Sequence, residues 1–188
     1  SPVRRRLYLA LERWLARLTR TAICLSRAQE REALALRLAP PSRSVVIPNG
    51  IDVAELDALV GAHAVPRNAL GLGADDSVVG SVARFDAVKG LDILLEAVHH
   101  LQARVPRLRL VLVGDGPEAT RLRRLAEALG LGSVVTFAGI IENAPTLYPA
   151  WDLYVSASRR EGLPLAVLEA MACRLAVVAT DIPGHQEV

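Results

Sequence analysis

The sequence predicts an α/β fold, a parallel sheet with helices on both faces. Three observations carry that expectation. Short apolar runs alternate with amphipathic helical stretches from residue 77 onward, joined by short connections. The composition is 52% hydrophobic but only 4% aromatic, rich in the small and branched aliphatics that suit helices packed on a buried sheet. Several strand candidates run directly into loops containing Gly or Pro, where ligands of open parallel sheets bind.

The elements follow in order. Residues 4–18 read as a basic amphipathic helix with Leu7, Leu11, Leu15 and Leu18 on one face and arginines largely elsewhere. This helix could lie on an anionic membrane surface or, as we favour, on a neighbouring domain. Residues 21–25 form a short strand, and Ser26 caps a helix over 27–38 that ends at Pro40-Pro41. Residues 45–47 are a second short strand. Pro48-Asn-Gly-Ile-Asp52 is a turn, with Asp52 able to cap the segment after it. Gly and Pro over 61–76 make a loop-rich connector and the best domain boundary. Beyond it come strand 78–83, helix 91–104, strand 108–113, helix 117–129 with Pro in its first turn, and strand 134–137. A short helical segment near 143–150, strand 153–155, helix 165–172 and strand 175–179 complete the pattern.

The composition also excludes. A net charge of +2, without interleaved aromatic and basic residues, gives no footprint for nucleic acid. Cys24 and Cys173 stand far apart without CxxC or Cys-His neighbours, so no zinc site is expected and both read as small buried residues of a reduced, cytoplasmic protein. No run is long and apolar enough to span a membrane. The opening Ser1-Pro2-Val3 and the close at Glu187-Val188 suggest a piece of a longer chain.

Four strand-end loops carry the candidate chemistry. Arg84 and Lys89 flank the start of a helix and could clamp a pyrophosphate, although two such cations are more often solvated. Gly114-Asp-Gly-Pro117 lacks the third glycine of a dinucleotide fingerprint, and Glu118 would repel a phosphate, so this is read as a tight turn. Gly139, before Ile140, would let a flat base lie against bare backbone. In the fourth loop, Glu161 and Glu169 bracket Gly162, Leu163, Pro164 and Leu165 at a helix start, whose free N–H groups favour an anion. Glu169 sits in a nearly all-apolar helix and needs a partner, which a ribose diol or a cation would supply. His99 and His100 are expected to face solvent, and His185 to cap or lie at the surface.

These residues together resemble the retaining glycosyltransferases of family 4, with their two-domain GT-B architecture. The motifs are Ile47-Pro-Asn-Gly-Ile-Asp52, Arg84-x4-Lys89-Gly90, Leu112-Val-Gly-Asp-Gly-Pro117, Val135-Thr-Phe-Ala-Gly139, Asp152, Ser158-x-x-Glu161-Gly, and Glu161-x7-Glu169-Ala-Met-Ala172. The resemblance implies a Rossmann-like donor domain over 77–188, a linker region over 49–76, and over 1–48 the last part of an acceptor-side domain. It implies that Arg84 and Lys89 hold the diphosphate of a UDP-, GDP- or ADP-sugar and that Glu169 binds the ribose. Glu161 would face the transferred sugar, amides from Gly162 to Leu165 would touch sugar and phosphate, and Gly139 and Ile140 would sit near the base. Neither a metal nor a cofactor is implied; the sequence has no Asp-x-Asp. The acceptor would be a glycan, a lipid-linked or a small molecule, reached in the cytoplasm or at the inner membrane face. The chain alone is expected to bind nucleotide weakly and to transfer nothing.

Three positions depart from the family pattern. Arg174-Leu-Ala176 replaces Gly-x-Pro at an expected left-handed helix end, and Ala83 stands where Gly is common. Arg174 and Ala176 keep open a non-catalytic nucleotide-sugar module. A GT-B-like epimerase is a further alternative but lacks extra acids and histidines for proton transfer. A dehydrogenase is more distant still.

Overall fold

The computed structural model describes residues 2–188. The predicted fold class holds. The strands β3 (Ser77–Val82), β4 (Leu108–Val113), β5 (Val135–Gly139), β6 (Leu153–Ser156) and β7 (Ala176–Ala179) form one parallel sheet in the order β5-β4-β3-β6-β7. Strands β1 (Ala22–Cys24) and β2 (Ser44–Val46) form a separate parallel pair. Helices α1 (Pro2–Ala16), α2 (Arg27–Ala35) and α3 (Val53–His63) belong to the first part of the chain. Helices α4 (Leu91–Leu101), α5 (Ala119–Ala128) and α6 (Leu165–Ala172) alternate with the large sheet's strands.

Two-residue alternation assigns the sheet's faces. Along β4, Leu108, Leu110 and Leu112 point to a core shared with Leu94, Leu95 and Val98 of α4 and Leu122 of α5. Val111 and Val113 point the other way, to a core containing Tyr148, Trp151, Tyr154 and Val167. One layer therefore consists of α4 and α5. The other is built from α6 and the 3₁₀ segment Ala144–Ala150. Asp152 anchors the layers: Oδ2 accepts the Val78 N–H at 2.8 Å and Oδ1 pairs with Arg67 at 2.6 Å.

The capping expectations hold at both predicted sites. Ser26 Oγ accepts from Gln29 N at 3.1 Å, and Asp52 Oδ1 accepts from Glu55 N at 3.0 Å. Four expectations need correction. Pro117 lies outside α5: the Ala119 N–H closes a tight turn on the Gly116 carbonyl at 3.0 Å, the first i→i−4 bond runs from Leu122 to Glu118, and the helix starts at Ala119. His99 is half-buried, its Nδ1 2.8 Å from the Leu129 carbonyl. Cys24 is buried but Cys173 only half-buried. The outer face of α6 is open, with Leu165 44% and Met171 50% exposed. On α1, the leucines expected to face a neighbour are exposed. Among the described residues no helix is long and apolar enough to cross a membrane.

Arg174 does adopt the left-handed conformation expected after α6, with φ +60°. A side chain there costs about 1 kcal/mol relative to glycine. Arg174→Gly should therefore raise the melting temperature by about 3 °C, read by calorimetric scan. An unchanged or lower melting temperature would show that the arginine is compensated elsewhere.

Candidate functional site

The sheet order reverses between β3 and β6: β4 and β5 extend to one side of β3, and β7 lies beyond β6. A crevice opens outside the strands' carboxyl ends at such a reversal. The two loops that border it are 83–90, after β3, and 157–164, after β6. Parallel pairing of β3 with β6 thus brings together residues that lie far apart in sequence.

The two loops are tied by specific contacts. The Arg159 N–H donates to the Val88 carbonyl at 2.8 Å. The Arg159 guanidinium donates to the Ala87 carbonyl at 2.7 Å and grips both Asp92 oxygens at 2.9 and 3.0 Å. That guanidinium holds the Asp92 carboxyl below the usual carboxylate range. Gly90 sits under the junction at φ +63°, where a Cβ would come within 2.0 Å of the Ala157 carbonyl oxygen. The glycines of the 114–117 loop pack against the backbone of Ala83 and Phe85 in the neighbouring strand-end loop. A Cβ on Gly114 would lie 1.9 Å from the Ala83 carbonyl oxygen. Glu118 is neutralised by an ion pair with Arg121.

At the junction, Lys89 Nζ lies 2.7 Å from Glu161 Oε1, with the side chains 27% and 12% exposed. Ser158 Oγ donates to the same carboxylate oxygen at 2.6 Å. The pair lines a cleft of about 550 Å³ together with Gly162 and with Ser26, Ala28 and Gln29 around the start of α2. Helix α6 opens beside Glu161, with Pro164 at its N-cap, no side-chain cap and no acid in its first turn. The N–H groups of Leu165 and Ala166 precede the first possible intrahelical bond, so the helix presents a positive end. Leu163 is buried, and its carbonyl accepts from Asn49 Nδ2 at 3.1 Å.

Glu169 faces inward from α6 and accepts from the Tyr148 hydroxyl at 3.3 Å. Burial pushes the Tyr148 phenol well above its usual range, so it remains a donor. Arg84 lies elsewhere. It is 72% exposed, pairs with Asp86 at 3.1 Å, and lines a second, open depression with Gly114, Gly116 and Ile140. Ile140 is 80% exposed beside Gly139, whose φ is +74°. The structure thus brings Lys89, Glu161 and Gly162 into one cleft, with α6 starting three residues after Gly162, and leaves Arg84 and Ile140 in the adjoining depression. Sequence reasoning placed Ser158 and Asn49 in motifs without assigning their partners, Glu161 and the Leu163 carbonyl, and missed Tyr148. Tyr148 gave no signal. Among the described residues no cluster of three or more His, Cys, Asp or Glu could hold a metal ion.

Comparison with known proteins fits this geometry. The Glycosyl transferases group 1 family matches residues 65–188, and the Glycosyltransferase Family 4 domain matches residues 1–55. The lipopolysaccharide core biosynthesis glycosyltransferase LpsE of Rhizobium meliloti is 40% identical over 65% of this chain and 35% of its own length. The D-inositol 3-phosphate glycosyltransferase of Mycobacterium tuberculosis is 34% identical over 83% of this chain and 33% of its own. Among solved structures, Anabaena Alr3699/HepE in complex with UDP and glucose superposes with a TM-score of 0.80 at 27% identity, covering 95% of this chain and 50% of that one. Sucrose-phosphate synthase from Thermosynechococcus elongatus gives a TM-score of 0.76 at 30% identity, covering 95% and 45%. The chain spans about a third to a half of the length of the curated relatives it matches. With a parallel sheet of GT-B type and a family match over most of its length, the chain belongs to the group 1 glycosyl transferases.

Proposed function

We propose that this chain carries the donor site of a glycosyltransferase that moves a sugar from a nucleoside diphosphate to an acceptor hydroxyl with retention of configuration. The observation that carries this reading is the Lys89–Glu161 pair at the sheet's reversal, beside the uncapped start of α6. The donor diphosphate lies on the α6 N–H groups, with Lys89 as its cation. Arg84, released from Asp86, adds a second positive charge. Together they offset charge on the departing nucleotide, the task a metal performs in other transferases. Glu161, held by Lys89 and Ser158, orients the transferred sugar. One oxygen of Glu169 is taken by Tyr148, and the other bonds the ribose diol. Gly139 and the exposed Ile140 support the base.

Residues 77–188 form the donor lobe in this proposal, 49–76 link it, and 1–48 belong to the acceptor-side lobe. The acceptor is a glycan, a lipid-linked or a small molecule. HepE, solved with UDP and glucose, supports the class of donor. Reaction at the cytoplasmic face of a membrane is supported by the exposed Leu7, Leu11 and Trp14 of α1 beside its arginines, though the remainder of the first lobe is the favoured partner for that face.

Calorimetry on the full-length protein in EDTA tests the reading. UDP, GDP or ADP should bind without added metal. Glu169→Ala should weaken that nucleotide by about 10- to 100-fold, the worth of a hydrogen bond to a charged group, while inorganic pyrophosphate changes less than about twofold. Equal losses for both ligands would contradict a ribose contact.

A further inference from the structure

The segment that follows β7 turns back onto the site. Gly184 packs so closely on the Glu161 backbone that a Cβ there would lie 2.5 Å from the Glu161 carbonyl oxygen. Three residues further on, the Glu187 carboxylate accepts the N–H groups of Arg27 at 2.6 Å and Ala28 at 2.5 Å. Arg31 of the same helix approaches it at 4.0 Å, and the Glu187 side chain is 24% exposed. Those N–H groups open α2 and have no acceptor within the helix. Ser26 satisfies the next one, at Gln29. A carboxylate at this end also meets the positive end of the helix dipole.

Two other contacts run the same way. Asn49 holds the Leu163 carbonyl at 3.1 Å, and Arg160 pairs with Glu32 of α2 at 3.2 Å. Every one of these links joins the first fifty residues to the 160–165 loop or to the segment behind it. The cleft lies between them, with Ser26, Ala28 and Gln29 on one wall and Lys89, Glu161 and Gly162 on the other. Glu187 makes the only one of these links that places both carboxylate oxygens on helix N–H groups.

We propose that Glu187 is a positioning residue for transfer: it clamps α2 to the loop that carries Glu161 and so fixes the width of the donor cleft. The proposal rests on the donor-site reading above. None of the groups assigned to the nucleotide lies on the wall formed by α2: Lys89 lines the facing wall, and Arg84 and Ile140 line the adjoining depression. Removing Glu187 therefore leaves nucleotide affinity intact, while transfer, which needs both walls, suffers.

The test uses the full-length protein and three readouts: nucleoside diphosphate affinity, kcat with KM, and small-angle X-ray scattering. For Glu187→Ala the expected result is an affinity within about twofold of wild type, a kcat lower by about tenfold or more, and a larger radius of gyration. Glu187→Asp, which keeps the charge, should recover part of the lost kcat. Unchanged kcat and scattering would overturn the clamp, and so would a parallel loss of nucleotide affinity and melting temperature. Wild-type protein that binds no nucleoside diphosphate would instead sink the donor-site reading. The scattering comparison would then decide the clamp alone, with an unchanged profile overturning it.

Discussion

Lys89→Ala in the full-length protein should lower kcat by about 10²- to 10³-fold, the usual effect of removing one group that stabilises charge developing in a transition state. Lys89 is the cation held deepest in the cleft, 2.7 Å from Glu161. Its loss removes a positive charge from the leaving diphosphate. It also strands Glu161, whose side chain is only 12% exposed. An uncompensated carboxylate at that depth is costly in itself. The double variant Lys89→Ala/Glu161→Gln isolates the stability cost: it should regain the melting temperature that the single variant loses, while kcat is read on the single variant. A single variant with near wild-type kcat would remove Lys89 from the reaction. Steady-state kinetics and a melting curve on the same preparations decide between these outcomes.

Gly90→Ala should damage fold and site together. The backbone at Gly90 is left-handed at φ +63°, and the added Cβ would lie 2.0 Å from the Ala157 carbonyl oxygen. A main-chain oxygen cannot swing aside as a flexible side chain can. The 83–90 loop would have to part from 157–159, breaking the Arg159 bonds to Val88 and Ala87 and drawing Lys89 from Glu161. Conformational strain and overpacking together amount to about 2–4 kcal/mol. For a chain of this size that lowers the melting temperature by about 8 °C, and nucleotide binding should vanish in calorimetry at 25 °C. Gly132→Ala is the control, because its added Cβ meets nothing within 4 Å. A Gly90→Ala protein with wild-type melting and binding would show that the two loops are not interlocked.

Much of this arrangement is legible from residue order. The boundaries of β4 and α6 follow from a change of period from two to about 3.6 and from Pro164 before the helix. The left-handed Arg174 follows from the helix end it occupies. Local pattern fails where a neighbour from elsewhere decides. Pro117 looks like a first-turn proline, but it sits in the Gly116–Ala119 turn, which the Phe85 carbonyl holds through the Glu118 N–H, and α5 starts only at Ala119. His99 looks solvated until the Leu129 carbonyl is placed beside it.

The site shows the same division. The residue types at 89, 161 and 169 point to an anion and a diol. That Lys89 meets Glu161 depends on β3 lying next to β6, a fact of sheet order that no local window contains. The pairing of Arg84 with Asp86, two positions away, competes with the clamp expected from Arg84 and Lys89 and sets Arg84 in the adjoining depression. Glu187 has no local signal, since its partners lie 159 and 160 residues away.

The central claim is that the crevice between the 83–90 and 157–164 loops is a nucleotide-sugar site. A crystal structure of the full-length protein with its nucleoside diphosphate tests this most directly. The account predicts the diphosphate within hydrogen-bonding distance of the Leu165 and Ala166 N–H groups and of Lys89, with the ribose hydroxyls on Glu169. A nucleotide bound elsewhere, or one in this cleft that leaves both Lys89 and Glu169 untouched, would contradict it.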